Sequence, residues 1–314
     1  MKIIFWAKGE RGISCLKAFY AKGWKAELLV LHPEDHQEGS ALSKLAREFK
    51  IEIAAPEDPN SPQWHTHLKE FAADLFVLAG YGKILKAPAI AIPRLGCINL
   101  HGGKLPEYRG SSPLNWALIN GEKSFTLSVI KVDAGVDSGD VLLDRTFNIE
   151  PTFTIRDLHR IANEQFPQMM LEVIENFSKG KCKGKAQDKS KAGYFPLRFA
   201  EDGLVLWDYL KAEQIHNRIR ALTEPYPCAF TFWNGRKIKL TASELTEIPY
   251  HGEPGRIYQK NMHGVLVCAS DVSLWITKAV FEDGEDAIAS MKRYERFATV
   301  HGWVAASQVS GVTS

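Results

Sequence analysis

Asn99, His101 and Asp137 bring an amide, an imidazole and a carboxylate into two short stretches of the chain, INLHGGKLPEYRGSSPLNW (98–116) and VDAGVDSGDVLL (132–143). Such a set suits transfer of an acyl group to an amine. As the amine attacks, negative charge grows on the acyl oxygen and positive charge on the nitrogen. The site therefore needs hydrogen-bond donors for the first and a proton acceptor for the second. Asn99 supplies donors, and an imidazole near neutral pH can act either as a charged donor or as a base. Asp137 can orient that imidazole or relay the proton to the departing nitrogen. Taken singly, Asn99 and His101 read equally well as strand-end polar residues and Asp137 as a turn former, so it is the constellation that points to chemistry.

The elements around these residues explain how they meet. In Ile98-Asn99-Leu100-His101, the two-residue period of a strand puts Asn99 and His101 on one face. Pro106, Gly110 and Pro113 break the next segment into a loop that overhangs the strand end, and a short helix from Trp116 stops at Gly121. Thr126–Val132 and Val141–Arg145 read as strands, joined by a turn-rich loop in which Gly135 and Gly139 flank Asp137 and let backbone approach a ligand. Upstream, strands Ile3–Trp6, Ala26–Leu31 and Leu75–Ala79 alternate with helices Gly12–Ala21 and Ser40–Phe49, the pattern of a parallel α/β sheet. Ligands of such sheets bind beyond the carboxyl ends of the strands, where Tyr81 and the Asn99–His101 pair fall. The first turn, AKGERG, lacks the Gly-x-Gly-x-x-Gly of dinucleotide sites, and no acidic ribose partner follows, which argues against a nicotinamide dehydrogenase.

Further along, Ile155 to about Phe177 carries helical periodicity. Six lysines then fall between Lys179 and Lys191, a polar, glycine-containing run that reads as a linker or exposed loop, with RNA phosphates as its alternative use. The helix Ala212–Leu222 precedes short strands at 229–233, 237–242, 255–258, 264–268 and 273–280, whose spacing and Asn234-Gly235 turn suggest a small β-barrel. From about His301 the chain reads as a tail.

At 314 residues, 45% hydrophobic and 24% charged, the chain is long enough for two compact domains and has no disorder-like bias. Its net charge of +2 makes no overall electrostatic case for nucleic acid, although local patches remain open. Five scattered cysteines without a Cys-x-x-Cys pair argue against a disulfide framework or a zinc site. No apolar run is long enough for a signal peptide or membrane span, so a cytoplasmic location without membrane contact is expected.

The pattern Asn-x-His, Leu-Pro, Tyr-Arg-Gly, Asp-x-Gly-x-Asp-x-Gly-Asp is carried by Asn99, His101, Leu105, Pro106, Tyr108, Arg109, Gly110, Asp133, Gly135, Asp137, Gly139 and Asp140. It resembles the 10-formyltetrahydrofolate-dependent formyltransferases, which include methionyl-tRNA, glycinamide ribonucleotide and nucleotide-sugar enzymes. The resemblance runs from Met1 to about Val300. It departs at Gly103-Lys104, where the family usually has Ser-Leu.

The resemblance implies a Rossmann-like, mostly parallel sheet followed by a small open β-barrel related to the oligonucleotide-binding fold. It divides the chain into a catalytic domain (1–178), a connecting segment (179–203), a barrel (204–305) and a tail (306–314). It makes Asn99, His101 and Asp137 catalytic and 10-formyltetrahydrofolate the co-substrate, with no metal. Tyr81, Leu85, Leu105, Ala134, Gly135, Val136 and Asp140 are then expected around the pterin. Lys83, Tyr108, Arg109, Trp116, Tyr194 and Arg198 are expected at the acceptor, and a homodimer is the expected assembly.

For the acceptor itself, the segment HPEDHQEG (32–39) stands where tRNA enzymes carry a longer basic insertion. Short and acidic, it is expected to repel an acceptor stem. The sequence-based expectation is therefore the amine of a nucleotide-linked deoxyamino sugar, a precursor of a surface glycan such as a UDP-4-amino sugar of pseudaminic type, with nucleic acid disfavoured as a partner. Methionyl-tRNA is the alternative acceptor, and a non-catalytic folate-binding regulator the alternative without chemistry.

Overall fold

Five consecutive buried residues, Ile3–Ala7, form strand β1, and their apolarity on both faces fits a strand covered from two sides. The computed structural model describes residues 1–37 and 39–302. Contact density divides the chain into two units, the first made of Met1–Pro113, Ser124–Asn148 and His159–Pro196, the second of Leu114–Lys123, Ile149–Leu158 and the chain from Leu197 onward.

In the first unit β1 is followed by β2 (Leu28–Leu31), β3 (Ile53–Ala54), β4 (Leu75–Ala79), β5 (Cys97–His101), the two-residue β6 (Arg109–Gly110), β7 (Ser124–Lys131), β8 (Val141–Asn148) and β9 (Tyr194–Phe195). Seven of these make one sheet in the order β3-β2-β1-β4-β5-β7-β8. The strands run parallel as far as β5, and β7 and β8 then turn antiparallel. Asn99 pairs across with Leu78 on one side and Ile130 on the other, and His101 pairs with Ser128. The carboxyl end of β5 is thus held from both flanks, and the polar pair it carries has a fixed register.

Helices α1 (Gly9–Ala21), α2 (Ala41–Phe49), α3 (Pro62–Glu70) and α4 (Ala87–Ile90) lie in this unit. Helix α2 starts where the Ser40 hydroxyl accepts from the Ser43 amide at 3.1 Å and stops at Lys50, whose φ of +55° ends the right-handed run. One face of the sheet packs Ile4, Trp6, Phe76, Leu78 and Tyr81 into a continuous apolar cluster. On the other face Phe5 meets Phe19 of α1 edge to face at 5.2 Å.

Helix α5 (Pro113–Ile119) begins three residues earlier than the sequence suggests, and the long helix α6 (Ile155–Ser178) contains Pro167. His159 of α6 is pushed down to about 4 from its ordinary 6.5, by burial first and by the nearby Arg11 guanidinium second. Between these two values the unfolded chain binds a proton that the folded chain refuses. Stability contributed by the neutral ring is therefore complete above pH 6.5 and is lost as the pH falls toward 4. Replacing His159 with Leu is expected to reduce the drop in melting temperature between neutral and mildly acid buffer by a few degrees. An unchanged acid drop, followed by calorimetry, would remove His159 as its source.

The second unit is built on α7 (Ala212–Leu222) and five antiparallel strands, β10 (Ala229–Trp233), β11 (Arg236–Leu245), β12 (Ile257–Asn261), β13 (Gly264–Cys268) and β14 (Ser273–Phe281), with a short α8 (Ala287–Ser290) after them. Their order, β10-β11-β14-β13-β12, leaves β10 and β12 unpaired with each other, so the barrel is open. Register shifts in β11 and β12 curl it. Single bridges, Leu204 to Phe230 and Arg296 to Arg256, cover the two edges. Trp207, fully buried, stacks on Phe297 and donates its indole N–H to Thr231 at 2.9 Å. The tail expected from residue 306 lies outside the described residues.

Candidate functional site

The carboxylate of Asp137 is the point on which the site converges. Its Oδ2 lies 3.4 Å from His101 Nδ1 and accepts from the backbone N–H of Gly110 at 2.9 Å, and its Oδ1 receives the Asn99 side-chain amide at 3.5 Å. Asp137 adopts this position with a φ of +48°, the left-handed conformation that Asp tolerates better than most residues. Strand β5 provides Asn99 and His101, and the loop from β7 to β8 swings Asp137 over them.

The tautomer of His101 follows from its neighbours. Nε2 sits 2.7 Å from the carbonyl oxygen of Tyr108, and a carbonyl only accepts, so Nε2 carries a proton and donates it. The remaining edge, Nδ1, faces the carboxylate. When Nδ1 also carries a proton, that nitrogen can donate to the carboxylate. The imidazole is 5% exposed and the carboxylate 13%, which strengthens their mutual field. Gly103 sits under this arrangement. A Cβ there would fall 2.6 Å from the Tyr108 carbonyl and 2.7 Å from His101 Nε2, so the departure from the family's Ser coincides with a loop closed tightly on the ring.

These groups open onto a cleft of about 400 Å³. Of the residues expected from the sequence, Tyr81, Lys83, Leu85, Asn99, His101, Gly135, Val136 and Asp137 line it. Tyr81 Oη is buried with no hydrogen-bond partner among the described residues, and burial pushes its phenol up to about 12. The Lys83 ammonium reaches the carbonyls of Pro56 and Glu57. Leu105, Tyr108, Arg109, Ala134 and Asp140 are not among the lining residues. Tyr108 stacks on Phe195 at 4.7 Å and contributes its carbonyl. Arg109 is 3% exposed and bonds to Gln187 and to the Tyr194 hydroxyl. Trp116 and Arg198 belong to the second unit, where the guanidinium lies 4.9 Å from the indole centroid.

Arg11 and Gln187 were not singled out by the sequence. Arg11 lines the cleft from the first turn of α1, donates toward the Leu100 carbonyl at 3.4 Å and sits 4.8 Å from the Phe166 ring centroid. Gln187 lies within the lysine-rich run, which is an exposed loop but a docked one: Lys185 and Val141 exchange backbone hydrogen bonds at 2.8 and 2.9 Å. No signal in the run itself marks Gln187 among its lysines.

Comparison with known proteins bears on the acceptor. Residues 15–174 match the family described as formyl transferase, and residues 199–292 match the formyl transferase C-terminal domain. A methionyl-tRNA formyltransferase of Caldanaerobacter subterraneus is 32% identical over 86% of this chain and 89% of its own length. One from Geobacter sulfurreducens is 32% identical, with 90% of each chain covered. The N-formyltransferase from Helicobacter canadensis, solved with folinic acid and dTDP-3-aminofucose, shares the fold with a TM-score of 0.70 at 17% identity, covering 88% of this chain and 99% of its own.

The expected nucleotide-sugar acceptor, and with it the expectation that nucleic acid is disfavoured, is therefore corrected: the relatives of substantial identity are named for methionyl-tRNA. Two of the acidic segment's carboxylates have partners within the fold that the sequence does not show. Glu34 pairs with Lys8 at 2.6 Å, and Asp35 accepts from the Gly9 amide at 3.3 Å. With both halves of the chain matched and Asn99, His101 and Asp137 gathered at one cleft, the protein belongs to the formyl transferase family and is a formyltransferase.

Proposed function

We propose that this protein transfers the formyl group of 10-formyltetrahydrofolate to the α-amine of methionyl-tRNA, working in the cytoplasm. The observation that carries the reading is the meeting of Asn99, His101 and Asp137 at the mouth of the cleft, in a chain whose relatives above 30% identity are named methionyl-tRNA formyltransferases. No described helix is long and apolar enough to cross a membrane. The division into a catalytic domain to residue 178, a connector to 203 and a barrel to 305 belongs to the same proposal. It is supported by the gap between the two matched stretches.

The residues fit a folate. Leu78, Leu85 and Val132 offer apolar walls for a flat heterocycle, and the buried, unpartnered Tyr81 hydroxyl offers it a polar contact. Bound there, the folate supplies the formyl group. Asn99 directs a side-chain N–H at the oxygen on which negative charge develops. His101, its Nε2 proton committed to Tyr108, cannot serve as a base through that nitrogen. In its charged form it adds positive potential beside the same oxygen. Asp137 then takes the proton from the attacking amine, held on His101 and on the Gly110 amide until the leaving nitrogen receives it.

The test is direct. The purified protein is mixed with 10-formyltetrahydrofolate and aminoacylated methionyl-tRNA, and the amino acid released by hydrolysis is analysed by mass spectrometry. N-formylmethionine is expected, and methionine recovered unmodified would reject the acceptor.

A further inference from the structure

One side chain ties the Asp137 loop to the strand opposite it. Gln187 Oε1 accepts two hydrogen bonds from Arg109, from Nε at 3.0 Å and from Nη2 at 2.7 Å. Gln187 Nε2 donates to the backbone carbonyls of Asp137 at 2.9 Å and Gly139 at 2.6 Å. A guanidinium only donates and a carbonyl only accepts, so the amide has one satisfactory orientation and all four bonds hold together. Arg109 is fixed in turn, because it is buried and its Nη1 bonds to the Tyr194 hydroxyl at 2.9 Å. The neighbouring residue, Gly110, gives its N–H to the Asp137 carboxylate. The dipeptide of β6 thus grips the loop twice, through Gln187 at the backbone and through Gly110 at the reacting group.

Asp137 needs such a grip. Its left-handed backbone is uncommon for a residue with a side chain, and it persists only where surrounding contacts determine it. Apart from the contacts of its carboxylate with Asn99 and His101, the loop is also tied locally, where Asp133 Oδ1 receives the Gly135 amide and the Ser138 hydroxyl. The local bonds shape the turn, and the carboxylate contacts hold the side chain, but Gln187 is what fixes the backbone of residues 137 and 139.

We propose that Gln187 is a positioning residue for formyl transfer, fixing the Asp137 loop against Arg109 so that the carboxylate stays on His101. The proposal rests on the formyl-transfer reading of the site. Gln187 touches neither reacting group, and its effect passes through the backbone of residues 137 and 139.

Two full-length variants separate this role from packing. Gln187→Met keeps the length and removes every hydrogen bond, and Gln187→Glu keeps the acceptor for Arg109 while losing the donor to the two carbonyls. In both, amides of residues 133–140 are expected to exchange with deuterium at least about ten-fold faster, measured without substrates. Turnover is expected to fall roughly 10- to 100-fold, with KM for the formyl donor changed by less than about three-fold. Wild-type exchange and turnover in either variant would overturn the proposal. So would a raised KM at unchanged turnover, which would make Gln187 a substrate contact. Because the exchange needs no acceptor, a wild-type protein that leaves methionyl-tRNA unformylated bears on the acceptor alone and not on the clamp.

Discussion

Asp137→Asn is expected to fold normally and to lose about 10³-fold in turnover, the scale of a proton-handling group removed from a transfer reaction. Asn is nearly the same size and tolerates the left-handed φ of +48° about as well as Asp, so the loop has no steric reason to move. The charge is what changes. In the wild type one oxygen of the carboxylate faces His101 Nδ1 at 3.4 Å and accepts from Gly110 at 2.9 Å. The amide cannot take a proton from an ammonium nitrogen. Melting temperature and turnover should therefore separate, the first close to wild type and the second nearly abolished. A variant that keeps wild-type turnover would remove Asp137 from the mechanism.

Gly110→Ala is expected to damage both. Gly110 sits at φ +98°, where any side chain is strained, and a Cβ would fall 2.3 Å from the carbonyl oxygen of Phe195 in the facing β9. Backbone strain of this kind costs of order 1–3 kcal/mol, and relief requires β6 to pull away from β9. That movement carries the Gly110 N–H off the Asp137 carboxylate. We expect stability reduced by at least about 2 kcal/mol, and turnover per folded molecule reduced about 10²-fold by the misplaced carboxylate. Denaturant unfolding measures the first and active-site-normalised kinetics the second. Wild-type turnover in the folded fraction would show that Gly110 holds only the strand and not Asp137.

The parts of the fold legible in the sequence are those where periodicity and punctuation agree. Leu75–Ala79, Ala212–Leu222, Ala229–Trp233 and Gly264–Cys268 have the expected ends, and Asn99 and His101 share a strand face as the two-residue period requires. Helix α3 (Pro62–Glu70) was not legible, because PQWHTHLKE buries only Leu68 and so carries almost no apolar period. The pairing of β6 with β9 joins residues 109–110 to 194–195 through two residues each, too short for any pattern to register.

Within the site, the meeting of Asn99, His101 and Asp137 was legible from their types and spacing. Their support was not. Gln187 meets Asp137 and Arg109 across 50 and 78 residues of chain, and its surroundings in sequence are lysine and glycine. The acceptor failed for a related reason. The charge of HPEDHQEG was legible, but the contacts of Glu34 with Lys8 and of Asp35 with Gly9 are tertiary. A sequence shows how many charges a loop carries, and the fold decides which of them find partners.

The central claim is that this site formylates the amine of methionyl-tRNA, and competition in one vessel tests it most directly. Aminoacylated methionyl-tRNA and a nucleotide-linked amino sugar are offered together with limiting 10-formyltetrahydrofolate, and each product is followed by mass spectrometry over time. Formyl groups accumulating on the methionyl amine, with the sugar untouched, is the predicted result. Formylation of the sugar while the tRNA stays unmodified would contradict the account.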